Sequence, residues 1–197
     1  MEEKEDLRVV RTKKMLCEAL TSLLETTSYE KINVIDICEK AMVHRATFYN
    51  HFNDKEMLLD YMLYGFEEEL FNSAINSAVI NSSKDEKELY LNIISKFIDF
   101  ATLNKKRLYL ILKHSKDKIT SLITSTFKKC ISFIINKNKY RTEYLLPINV
   151  LVTFFTGGIT AIGIDWLEST NPPSKEEMLN YFEVIINPSV YAKNIKN

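Results

Sequence analysis

Between Asn33 and Leu59 the chain sets hydrogen-bonding side chains around a short apolar prop. In His44-Arg45-Ala46-Thr47-Phe48-Tyr49-Asn50-His51-Phe52, the two phenylalanines lie four residues apart and share one helical face. Ala46, Thr47, Tyr49 and Asn50 must then point elsewhere, which makes a small, polar and aromatic outer face. The segment before it, Asn33-Val34-Ile35-Asp36-Ile37-Cys38-Glu39-Lys40-Ala41, has a polar N-cap candidate, an acid in its first turn and apolar residues at helical spacing, then a break at Met42-Val43. Two short helices joined by a tight turn, the second with donors and acceptors outward, suit a helix laid in the major groove of DNA to read base edges.

Other chemistry is poorly represented. There is no glycine-rich phosphate loop, paired metal-ligand motif or nucleophile elbow, and His44, His51 and His114 lack catalytic partners, so no enzyme, cofactor or metal is expected. Cys17, Cys38 and Cys130 are odd in number and far apart, which reads as reduced core thiols. The acidic start Met1-Glu2-Glu3-Lys4-Glu5-Asp6 contains no apolar run, so neither signal nor transit peptide is expected and the predicted location is cytoplasmic.

The elements that must hold the reader are helical. Of 197 residues, 46% are hydrophobic and only 4 are Gly and 4 Pro, a composition for an all-α globular protein. A first amphipathic helix is predicted from Leu7 to about Thr27, with a basic entry at Arg8, Arg11, Lys13 and Lys14. Asn53-Asp54-Lys55-Glu56 supplies a cap and acidic first turn for a long helix to about Ile80, inside which the boundary between a 1–60 and a 61–197 domain is expected. Further helices are expected at about 86 to 103, 105 to 114, 117 to 137 and 143 to 169. A final one follows Pro172-Pro173, where Ser174 and Glu177 form a capping box. No strand alternation or internal repeat is visible.

Net charge is zero, so any DNA contact must come from a local surface. Residues 8 to 55 hold eight Lys or Arg and six Asp or Glu, a surplus that leaves affinity to a few contacts. Asn104 to Arg141 holds eleven Lys or Arg against one acid, Asp117, which reads either as a cationic patch or as solvated helix faces. Leu145 to Ile164 carries no formal charge over 20 residues, long enough to span a bilayer. Pro147, Asn149 and three threonines argue instead for a soluble interface without membrane. Gly157, Gly158 and Gly163 would admit a second helix, naturally from another copy of the chain.

Arg11-Thr12-Lys13, Ile32-Asn33-Val34-Ile35-Asp36-Ile37, Arg45 to Phe52 and Lys55-Glu56-Met57-Leu58-Leu59 together resemble the TetR family of bacterial transcriptional regulators. The segment from Phe154 to Glu168 with Pro173-Ser174-Lys175-Glu176-Glu177 resembles a branch typified by regulators of dihydroxyacetone kinase operons. The resemblance implies an N-terminal three-helix DNA-binding domain with a helix-turn-helix, plus a C-terminal helical bundle for dimerisation and effector sensing. The homodimer would form through the helices at about 143–169 and 175–187. Carried onto this chain, the family pattern makes Arg45 a bidentate guanine contact and Ala46 a thymine-methyl contact. Thr47, Tyr49 and His51 fall at phosphate-binding positions, and Asn50 at a position facing base or backbone. Lys55 would offer a phosphate its cation and free backbone amides, and Asn33 would do the same from the preceding helix.

Two residues depart from the pattern: Met42 stands where the turn usually has glycine, and His44 where a small hydroxyl residue usually starts the recognition helix. Met42 implies a changed or strained turn. The partners so implied are a double-stranded DNA operator and a small-molecule or protein effector, with Phe97, Phe100, Leu108, Tyr109, Leu112, Phe127 and Phe154 lining a pocket or filling plain core. Repression relieved by an effector is the first reading; a partner-dependent activator or a helical protein-binding adaptor is the second.

Overall fold

The computed structural model describes residues 6–80, 86–138, 142–187 and 192–194. Asp6 caps helix α1 (Leu7–Leu24) by accepting the amide of Arg8 at 2.9 Å, and Leu16, Ala19, Leu20 and Leu24 recur on its buried face. The helix stops three residues short of Thr27, where the amides of Thr26 and Thr27 turn back to the Leu23 carbonyl. A 3₁₀ turn (Tyr29–Lys31) leads to α2 (Val34–Ala41), and α3 (Arg45–Tyr49) follows. The long α4 (Lys55–Ile80) starts under the cap of Asp54, whose carboxylate accepts the Met57 amide at 2.8 Å.

The rest is α5 (Glu86–Leu103), α6 (Lys105–His114), α7 (Lys116–Asn138), α8 (Ile148–Glu168) and α9 (Lys175–Ile185). The predicted α9 capping box is present, with Ser174 Oγ accepting the Glu177 amide at 3.2 Å and the Glu177 carboxylate accepting the Ser174 amide at 2.8 Å. That amide bond, with the Ser174 hydroxyl, holds the Glu177 carboxyl below its usual range. The all-α class holds, with one addition. Residues 142–144, the last two expected to open a helix, form strand β1 (Thr142–Tyr144), which pairs antiparallel with β2 (Ala192–Asn194) in the register Glu143 opposite Lys193. The helix expected from 143 begins instead at Ile148, because the ring of Pro147 bars a helical Leu146 and is itself extended (φ −53°, ψ 133°). A three-residue strand is too short to show alternation in sequence.

The first half of α4 touches the α1–α3 unit through Phe52 and Tyr61, whose ring centroids are 5.4 Å apart. Further on, Phe66 meets Phe100 of α5 at 5.7 Å. One buried cluster therefore runs from Leu16 through Phe48 and Phe66 to Phe182 of α9. Four cations of the α6 and α7 stretch, Lys106, Lys116, Lys118 and Lys129, are engaged in ion pairs with other helices or their ends. Lys106 meets Glu25, the C-cap of α1, at 2.9 Å, Lys116 meets Glu168 of α8 at 2.9 Å, and Lys129 meets Glu67 at 2.6 Å. Lys118 reaches both Glu56 (3.3 Å) and Asp60 on the first turns of α4. The exposed pairs, Lys106–Glu25 and Lys116–Glu168, contribute about 0–1 kcal/mol each, so they fix how the helices register more than how stable they are.

α8 is by length and hydropathy the one candidate membrane span among the described residues (21 residues, mean hydropathy 1.6). Leu151, Val152, Thr156, Ile159, Thr160, Ile164 and Leu167 are buried, and the helix packs against α7. Its other face is bare.

Candidate nucleic-acid interface

Asn33 nucleates the site. Its side-chain oxygen accepts the amides of Ile35 (2.8 Å) and Asp36 (3.1 Å), while Asp36 accepts the Asn33 amide (2.8 Å), so α2 starts on a complete capping box. At its other end the Met42 amide reaches the carbonyls of Cys38 and Glu39, and the Val43 amide reaches that of Cys38 at 3.0 Å. Met42 closes this turn in the left-handed region (φ 53°, ψ 42°), the one non-glycine residue with positive φ among those described. The turn thus keeps the glycine-type geometry and carries its strain, with the side chain 90% exposed and nothing packed on it.

α3 is held from behind. Phe48 and Phe52 are 0% and 2% exposed, with ring centroids 5.8 Å apart, and Tyr49 lies edge-on to Phe48 at 5.5 Å. Arg45, Ala46, Tyr49 and Asn50 are exposed together on the outer side, and Thr47 and His51 are half-buried at its edge. His44 is exposed and extended, and its side chain makes no cap. The thiol of Cys38, close enough to feel the Arg45 charge, is pushed up by burial; those of Cys17 and Cys130 are pushed up to about 11 and about 12, also by burial. All three are free cysteines, as expected of core thiols.

Lys55 departs from its expected place. Its Nζ donates to the backbone carbonyls of Tyr29 (2.6 Å), Ile32 (2.8 Å) and Glu30 (3.3 Å), and stands 4.4 Å from the Tyr29 ring centroid. An ammonium has three protons, so the cation expected to meet a phosphate is already engaged inside the chain. The Asp54 carboxylate covers part of the same helix start, so the expected free amides are reduced too. Asn33 likewise spends its side-chain oxygen on its own helix. No sequence signal points to these contacts, since the three carbonyls lie 23 to 26 residues before the lysine. Around Tyr29, burial and then the carboxylate of Glu56, with those of Asp54 and Asp60, raise the phenol above its ordinary range.

Two further features lie away from α3. Phe97, Phe100, Leu108 and Phe127, four of the seven pocket candidates, line an apolar cavity of about 80 Å³ between α4, α5, α6, α7, α8 and α9. Phe97 and Phe127 stack across it at 3.6 Å. The one side-chain N–H or O–H among its lining residues, the Trp166 indole N–H, is donated to the Pro173 carbonyl at 3.1 Å. Leu112 is buried elsewhere, whereas Tyr109 and Phe154 are exposed. Phe154, 71% exposed, belongs to the bare face of α8 with Val150, and a Cβ built on Gly157 or Gly158 would meet open space. Val184 and Ile185 of α9 are likewise exposed.

Residues 16–62 match the family described as bacterial regulatory proteins, tetR family. The chain is 36% identical over 61 residues to DhaS, the HTH-type dhaKLM operon transcriptional activator of Lactococcus lactis, a stretch that is 31% of this chain and 33% of that protein. It is 44% identical over 59 residues to the HTH-type transcriptional regulator YxbF of Bacillus subtilis, 29% of this chain and 16% of that one. These matches therefore span a third or less of either relative. The solved structure of dihydroxyacetone kinase operon activator DhaS superposes with a TM-score of 0.64 at 20% identity, covering 88% of this chain and 93% of that one, which extends the likeness of fold well beyond the N-terminal match.

Proposed function

We propose that this chain, whose residues 16–62 are of the tetR family of bacterial regulatory proteins, is a transcriptional regulator that binds a roughly palindromic operator in the cytoplasm as a homodimer. The observation that carries the reading is the outward face of α3, Arg45, Ala46, Tyr49 and Asn50, set over two sealed phenylalanines. Arg45 reads guanine O6 and N7, Ala46 meets a thymine methyl, Thr47, Tyr49 and His51 bond phosphates, and Asn50 faces base or backbone.

Residues 1–60 act as the reading head and 61–197 as the dimerising and sensing body. The bare apolar face of α8, joined by Val184 and Ile185 of α9, supports pairing with a second copy rather than membrane insertion. The cavity supports an uncharged, apolar effector, because its wall offers no free group to a charge or hydroxyl. At about 80 Å³ it is smaller than the roughly 150 Å³ that admits benzene, so a larger ligand must part the Phe97–Phe127 stack. Movement there shifts α5 against α7 and so the spacing of the two heads, which is what a repressor released by its effector requires. The likeness to DhaS, itself described as an activator, favours activation as the second reading.

A mobility shift with DNA from upstream of the chain's own gene tests the proposal. Binding that weakens as salt rises from about 50 to 200 mM is expected, whereas absent or salt-insensitive binding would favour a protein-binding adaptor.

A further inference from the structure

The three carbonyls that hold Lys55 lie at a strategic place. Tyr29 and Glu30 belong to the 3₁₀ turn, and Ile32 immediately precedes Asn33, the cap from which α2 starts. Lys55 is the first residue of α4. Its ammonium therefore joins the entrance of the helix-turn-helix to its exit and closes α2, the turn and α3 into a loop. The Tyr29 ring, 5% exposed, covers the cation at 4.4 Å. The Asp54 carboxylate covers the same helix start, so a phosphate approaching this turn would meet a carboxylate and no free ammonium proton.

From this geometry we infer that Lys55 is a positioning residue of the reading head: an internal ammonium lock that sets the angle of α2 and α3 against α4 and neutralises no phosphate. The inference rests on the DNA-binding reading for its consequence, not for its geometry. A lysine suits the task because three protons on a compact head can reach three converging carbonyls, whereas a planar guanidinium aims its donors as a fork. The amides of Lys31 and Ile32, bonded to the Ser28 and Tyr29 carbonyls, report whether the turn is held.

The test compares the full chain with Lys55→Met and Lys55→Arg, using the upstream DNA and hydrogen exchange. The lock predicts that both variants weaken binding tenfold or more with the wild-type slope of log affinity against log salt, and speed exchange at Lys31 and Ile32 at least tenfold. A phosphate contact predicts a slope shallower by about 0.9 for Lys55→Met, rescue by Lys55→Arg, and unchanged exchange. That second pattern overturns the inference. Should Lys55→Met fail to fold, Lys55→Arg decides alone, since a retained charge rescues a phosphate contact and not the lock. If the wild type gives no shift, the regulator reading falls and exchange remains the judge of the lock: protection unchanged in Lys55→Arg sinks it.

Discussion

Phe48 and Phe52 stand one helical turn apart with ring centroids at 5.8 Å and almost no solvent on either, so the outward face of α3 is fixed by what lies beneath it. Replacing Phe48 with Ala leaves a cavity under the reader and should lower stability by about 3–5 kcal/mol. Denaturant unfolding measures the loss. A change below about 1 kcal/mol would mean that the helix does not lean on this ring.

Arg45 is exposed at the start of α3 and is proposed as the base reader. Arg45→Ala should cost about 1–3 kcal/mol at one operator position and relax the preference there. Binding to a set of single-base operator variants checks this. Uniform weakening across the set would make Arg45 a phosphate contact instead.

Met42 pays a conformational penalty with no packing in return, being left-handed and 90% exposed. The left-handed region costs an ordinary residue roughly 1–2 kcal/mol, and glycine gives back about 0.4–1 kcal/mol through its freer unfolded chain. Met42→Gly should therefore raise the melting temperature, by about 1–3 °C, with operator preference unchanged. A lower melting temperature would contradict the strain argument.

Phe154 projects from the bare face of α8. Phe154→Asp should yield a folded monomer by sedimentation, with operator affinity reduced by orders of magnitude because the two heads no longer bind together. A variant that stays dimeric would move the interface elsewhere.

Much of the site was legible locally. The Asn33–Asp36 cap, the four-residue spacing of the two phenylalanines and the Ser174–Glu177 box all involve partners within one helical turn, and each stands as read. Lys55 was not legible. Its residue type and its place at a helix start fit a phosphate ligand, and only the folding back of residues 29–32 supplies it with carbonyls.

By itself, then, the sequence determined the helices, most of their ends and the composition of the reader, because propensity, capping and periodicity act over three or four residues. Tertiary structure alone decided where the long-range partners fall. It sent Lys118 across 58 residues to Asp60, gave Lys55 its three acceptors, opened a cavity between Phe97 and its neighbours, and left one side of a largely apolar α8 uncovered. Which face of a helix is buried, and which cation is consumed, depends on elements that meet only when the chain has closed on itself.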